Sequence, residues 1–205
     1  MPSDEAIGRF WHWFASVAAR LGVAFEPALH DELDDRLAQL GQVAWELGPG
    51  LRAPHWLVIS PDGALAWLPV TQRIVELAPL IEGWEFHASR PPKRWSLQFQ
   101  LSQGKRMVPI DAREWRYILY EVSPSQFDIV VEQRGLRGAT DGTRFAATCI
   151  VLDGQLGEAE RLTRFRDIEW VKKLTVAQAG EASRLVDLAD HLAQVVDGVP
   201  SKPTA

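Results

Sequence analysis

"QVAWELGPG" (residues 42–50) is where the chain changes its period. Val43, Trp45 and Leu47 alternate with Ala44 and Glu46, the two-residue repeat of a half-buried strand. Gly48-Pro49-Gly50 then breaks the run. Upstream, the apolar residues recur at three and four instead. Ser3 is a good helix cap, and Asp4 and Glu5 fall in the first turn, where the helix dipole favours acids. The spacing predicts a helix from about Asp4 to Leu21, stopped by Gly22, with Phe10, Trp13, Phe14, Val17 and Leu21 as its buried stripe. Trp11 lies to one side of that stripe. A second helix starts at Pro27, a favoured first position, and ends at Gly41. It places Leu29, Leu33, Leu37 and Leu40 on one face and Asp31, Asp34 and Asp35 on the other, solvated one.

Downstream of the change, strands dominate. "HWLVISPDGALAW" (55–67) reads as a hairpin, with strands at 56–59 and 64–67 around a type I turn at Ser60-Pro61-Asp62-Gly63. A short helix follows from Pro69 to about Ala78 and stops at Pro79. "GWEFHAS" (83–89) is the next strand. "RWSLQFQLS" (94–102) alternates Trp95, Leu97, Phe99 and Leu101 with polar residues, and a tight turn at "QGK" leads into Met107–Ile110. "EWRYILYEV" and "QFDIVVEQR" are two more strands. A short helix closed by Gly154, a strand near 162–171 and one terminal helix over 177–198 complete the pattern; residues 199–205 read as a disordered tail. Helices first and then mostly strands imply an α+β fold: a mainly antiparallel sheet with N-terminal helices and a C-terminal helix packed on it. The expectation is one domain over 1–198, with a possible sub-boundary at the stiff Arg90-Pro91-Pro92-Lys93-Arg94 stretch.

The composition narrows the function classes. The chain has 205 residues, 46% of them hydrophobic, a net charge of −5 and nine tryptophans, which suits an ordinary globular protein with a heavily packed aromatic core. No basic stripe stands out, so duplex nucleic acid is disfavoured. The single cysteine, Cys149, permits no intrachain disulfide and sits among small and apolar neighbours, as an inert thiol would. The start "MPSDEA" is not a signal peptide, and no run of about 18 apolar residues could span a membrane. A cytoplasmic protein is expected.

No phosphate loop, nucleophile elbow or metal-ligand spacing appears, so neither a cofactor nor a metal is expected. Three weaker constellations remain. Glu85 and His87 lie side by side on one strand face, with Glu46 on a neighbouring candidate strand and His55 close in sequence; a carboxylate beside an imidazole can orient a general base. Asp153 and Glu158 flank two glycines, whose presence suggests a backbone passing close to something. Trp11 with His12, and Trp67 and Trp115 at element ends, are candidates for an exposed aromatic surface. The leading expectation is a non-enzymatic binding or regulatory protein that contacts a protein partner, or a second copy, through that surface. The alternatives are a small-molecule hydrolase built on Glu85 and His87, and a ligand-sensing module with a pocket between the first helix and the sheet.

"FWHWF" (10–14), "WELGPG" (45–50), "ISPDG" (59–63), "APLIEGWEF" (78–86) and "LDGQLGE" (152–158) together resemble a group of uncharacterised bacterial proteins over roughly residues 8–172. The shared motifs are packing aromatics, turns and helix stops. The resemblance implies a bacterial, cytoplasmic origin and assigns no catalytic residue.

Overall fold

The computed structural model describes residues 1–23 and 25–196; the tail at 199–205 lies outside them. The chain divides into two compact units, one spanning Met1–Arg90 and the other beginning at Pro91. Each has its own apolar core.

The first unit packs three helices on a three-stranded sheet. Helix α1 (Asp4–Leu21) begins at Ser3, whose side chain accepts a hydrogen bond from the Ala6 amide. Helix α2 (Pro27–Ala38) buries Leu29, Leu33 and Leu37. Strands β1 (Ala44–Pro49), β2 (His55–Ser60) and β3 (Trp84–His87) lie in the order β1-β2-β3, antiparallel across the first pair and parallel across the second. Helix α3 (Leu68–Glu76) makes the crossover between the parallel strands. The register aligns Leu47 with Leu57 and Phe86 on the face beneath the helices. It aligns Glu46 with Val58 and His87 on the opposite face.

Two expectations for this unit are corrected. The buried stripe of α1 runs through Ile7, Phe10, Trp11, Phe14, Ala18 and Leu21, while Trp13 and Val17 are only half-buried. The stripe is rotated toward Trp11 because that indole finds both a cavity against Phe86, 4.6 Å between ring centroids, and a hydrogen-bond acceptor. The hairpin at 55–67 does not form. Both edges of β2 are taken by β1 and β3, so Leu65–Trp67 instead makes a single 3₁₀ turn leading into α3. The turn itself is not type I, because Asp62 has φ of 50° and Gly63 of 78°.

The second unit holds a two-stranded sheet, β4 (Gln98–Gln103) with β5 (Arg106–Asp111). It also holds a four-stranded sheet of β6 (Arg116–Ser123), β7 (Gln126–Glu132), β8 (Phe165–Val171) and β9 (Ser183–Arg184), in the order β8-β7-β6-β9. Helices α4 (Asp141–Leu156) and α5 (Glu158–Arg164) carry the chain from β7 to its parallel neighbour β8. Helices α6 (Val176–Glu181) and α7 (Leu188–Val196) follow. Among the described residues four strand pairs are antiparallel and two are parallel, so the fold is α+β with mainly antiparallel pairing, spread over three sheets rather than one.

Three elements differ from the expectation here. Strand β4 starts at Gln98, not Trp95, because Leu97 takes a left-handed conformation (φ 59°) that interrupts an extended run. The helix expected to close at Gly154 continues to Leu156, and 158–164 is helix α5 rather than the start of the strand. The single terminal helix is broken. Ser183 and Arg184 pair with the free edge of β6, and the Leu185 amide donates to the Trp115 carbonyl, so strand pairing overrides local helix propensity.

Candidate functional site

The sequence candidates separate once their surroundings are known. Trp11 and Trp115 are not surface residues. Trp11 is 2% exposed and donates its indole N–H to the Ile74 carbonyl at 2.7 Å; Trp115 is fully buried and donates to the Arg134 carbonyl at 3.1 Å. Each indole has apolar packing for its body and an acceptor for its one polar group, which together favour burial of tryptophan. Trp67 is half-buried, its ring so close to Gly41 that a Cβ there would sit 2.5 Å away. His12 is exposed on α1.

Asp153 and Glu158 are drawn into a structural cluster. Asp153 on α4 holds the Arg161 guanidinium of α5, and Glu158, fully buried, opens α5. Gly154 does pass close to something: the Trp95 indole, which a Cβ would meet at 2.5 Å. Burial pushes the Cys149 thiol above its ordinary pKa, which suits an inert thiol.

Glu85 and His87 are brought together, with His87 Nε2 3.4 Å from Glu85 Oε1. The carboxylate is already engaged. It accepts from the Leu51 amide and, at 3.1 Å, from the Arg52 amide, and so ties down the loop between β1 and β2. Burial pushes the Glu85 pKa up, but the Leu51 amide, His87 and the Arg52 amide outweigh it and hold the carboxyl below its ordinary value. His87 Nε2 is buried without a hydrogen-bond partner among the described residues, and the ring stands edge-on to Trp56 at 5.5 Å. Glu46 lies across Val58 in register and is paired with Arg90 at 2.6 Å, not with His87.

The sequence offered a pocket between the first helix and the sheet but did not bring together the residues of the groove in the same unit. About 400 Å³ opens between the end of α1, the entry to α2 and the ends of the three strands. Its walls include Phe25, His30, Leu47, Pro49, His55 and Trp84. Phe25 is 74% exposed and lies 4.3 Å, centroid to centroid, from the His30 ring, which in turn lies 5.8 Å from Trp45. His55 lies 5.2 Å from Trp84, and its imidazole rests on Gly22, where a Cβ would come within 2.7 Å of Nε2. His30 Nδ1 is 2.8 Å from the Glu26 carbonyl, which can only accept, so Nδ1 carries the proton and donates. The site is therefore two pairs of rings, Phe25 with His30 and His55 with Trp84, flanked by prolines and carrying imidazole nitrogens of both histidines among its polar atoms. The two halves are assembled by the α2 helix and by the parallel register of His55 with Trp84; the only sequence signal was the local Phe25–His30 spacing.

Among the described residues no group of three His, Cys, Asp or Glu side chains could hold a metal ion. No helix among them is long and apolar enough to cross a membrane. Comparison with known proteins finds no matching family model, no matching curated protein and no matching solved structure.

Proposed function

We propose that the chain is a non-enzymatic binding protein whose first unit seats a flat, apolar group of its partner in the ring-lined groove. The observation that supports this is the largely exposed Phe25, its ring tilted against His30 at the groove mouth. A phenyl ring left in water forfeits about 2 kcal/mol of burial, which a partner's apolar group would recover. Aromatic walls around a concavity are a common feature of ligand pockets. The aromatic surface is thus built from Phe25, His30, His55 and Trp84 rather than from Trp11 and Trp115.

The test is a titration with the neutral aromatic probe N-phenyl-1-naphthylamine, followed by quenching of tryptophan emission. Saturable one-site binding that weakens at least fivefold in Phe25→Ser, with an unchanged melting temperature, supports the reading. Absence of saturation, or equal binding by Phe25→Ser, refutes it.

A hydrolytic reading is favoured by one observation only, the buried and unbonded His87 Nε2 beside Glu85. It requires that p-nitrophenyl acetate turn over faster with the wild-type chain than with His87→Ala; equal rates remove it.

A further inference from the structure

The second unit carries a different surface. The tip of the β4–β5 hairpin, Gly104-Lys105-Arg106, is fastened to the loop between β7 and α4. Gln103 donates to the Gly138 carbonyl at 3.3 Å and accepts from the Thr140 amide and the Thr143 hydroxyl, each at 2.8 Å. This brings the Arg106 guanidinium against Gly138, where a Cβ would lie 3.1 Å from one of its nitrogens; Arg137 is the preceding residue of that loop. Lys105, Arg106 and Arg137 are all exposed. Arg134, in the same loop, donates its Nε to Glu132 at 2.7 Å.

Five arginines elsewhere in this unit find carboxylates: Arg113 with Asp111, Arg116 with Glu132, Arg161 with Asp153, Arg164 with Glu160 and Arg166 with Asp128. Among the described residues Lys105, Arg106 and Arg137 form no ion pair, although the exposed Asp141 stands only a few residues along the chain. Like charges gathered at one place repel, and an anionic partner converts that repulsion into attraction. The guanidinium fork is suited to carboxylates.

We propose that the hairpin tip and the 134–138 loop form a docking surface for an acidic protein segment, one bearing several Asp or Glu side chains. The surface is open, so a lone small anion would remain in water and be held weakly. Several spaced cations match an extended chain of carboxylates instead. Single-stranded nucleic acid fits less well, because no aromatic residue lies within 104–106 or 134–138 on which bases could stack.

The experiment uses the full chain and a fluorescein-labelled poly-glutamate peptide, read by anisotropy at low and at physiological ionic strength. The expected result is binding that weakens with salt and drops roughly tenfold in Arg106→Ala/Arg137→Ala. It should stay within about twofold in Arg164→Ala/Arg166→Ala, which removes two cations from another part of the unit. Arg106→Lys/Arg137→Lys, which keeps the charge, should retain most of the affinity and guards against misfolding of the alanine variant. No binding, equal loss in both alanine variants, or tighter binding of an oligo-dT strand than of the peptide would each overturn the proposal.

Discussion

Glu132 anchors the end of β7, and replacing it with glutamine tests the electrostatic account of the second unit. The residue is 3% exposed and accepts from Arg116 Nε at 2.9 Å, Arg134 Nε at 2.7 Å and the Leu174 amide at 3.1 Å. Burial alone would raise its pKa; Arg116, the Leu174 amide and Arg134 outweigh burial and lower it from 4.5 to about 2. A carboxyl depressed by that much contributes about 3 kcal/mol of stability at neutral pH. The contribution is complete above the unfolded value near 4.5 and is lost as the pH falls toward 2. Glu132→Gln keeps the shape and an acceptor for Leu174 but turns an amide N–H₂ toward two cationic donors. It should cost about 3 kcal/mol at pH 7 and less than half of that near pH 3, where the wild-type carboxyl is losing its advantage. Urea unfolding of both proteins at the two pH values, followed by far-UV circular dichroism, measures the difference directly. An equal cost at both pH values would mean that the role of Glu132 is steric and would refute the reasoning.

Two further substitutions probe packing. Trp11→Phe keeps an aromatic ring but leaves the Ile74 carbonyl without its indole donor, so it should lower stability by about 1–3 kcal/mol in urea unfolding; an unchanged midpoint would show that the hydrogen bond contributes nothing. Gly154→Ala should destabilise by about 1–3 kcal/mol, because its Cβ would meet the Trp95 indole at 2.5 Å. Gly142→Ala, in the same helix with nothing within 4 Å of its Cβ, should stabilise by about 0.5–1 kcal/mol; if both melted alike, the close approach to Trp95 would be irrelevant.

Much of the candidate chemistry was legible where it is local. Alternation along "GWEFHAS" put Glu85 and His87 on one face, and they do meet. Alternation could not show that the Glu85 carboxylate is occupied by the amides of Leu51 and Arg52, which arrive from a distant loop. Trp11 and Trp115 were misread for a related reason. A large tryptophan is buried readily where the fold supplies its N–H with an acceptor, and the acceptors for these two are the carbonyls of Ile74 and Arg134. The groove was invisible because His55 and Trp84 become neighbours only through a parallel strand pair.

Local physical chemistry in the sequence determined the α+β class, the cap at Ser3, the first three helices to within a few residues and most strands. Caps, turns and side-chain periodicity act over a few residues and so can be read along the chain. Tertiary structure decided what depends on a partner from far away. It chose which strand edges were free, and so turned 65–67 into a 3₁₀ turn and split the terminal helix at Ser183. It also rotated α1 to bury Trp11, gathered the rings of the groove, and set the Arg106 guanidinium against Gly138. Each outcome turns on a hydrogen bond or an apolar contact made across the fold, whose other half lies tens of residues away.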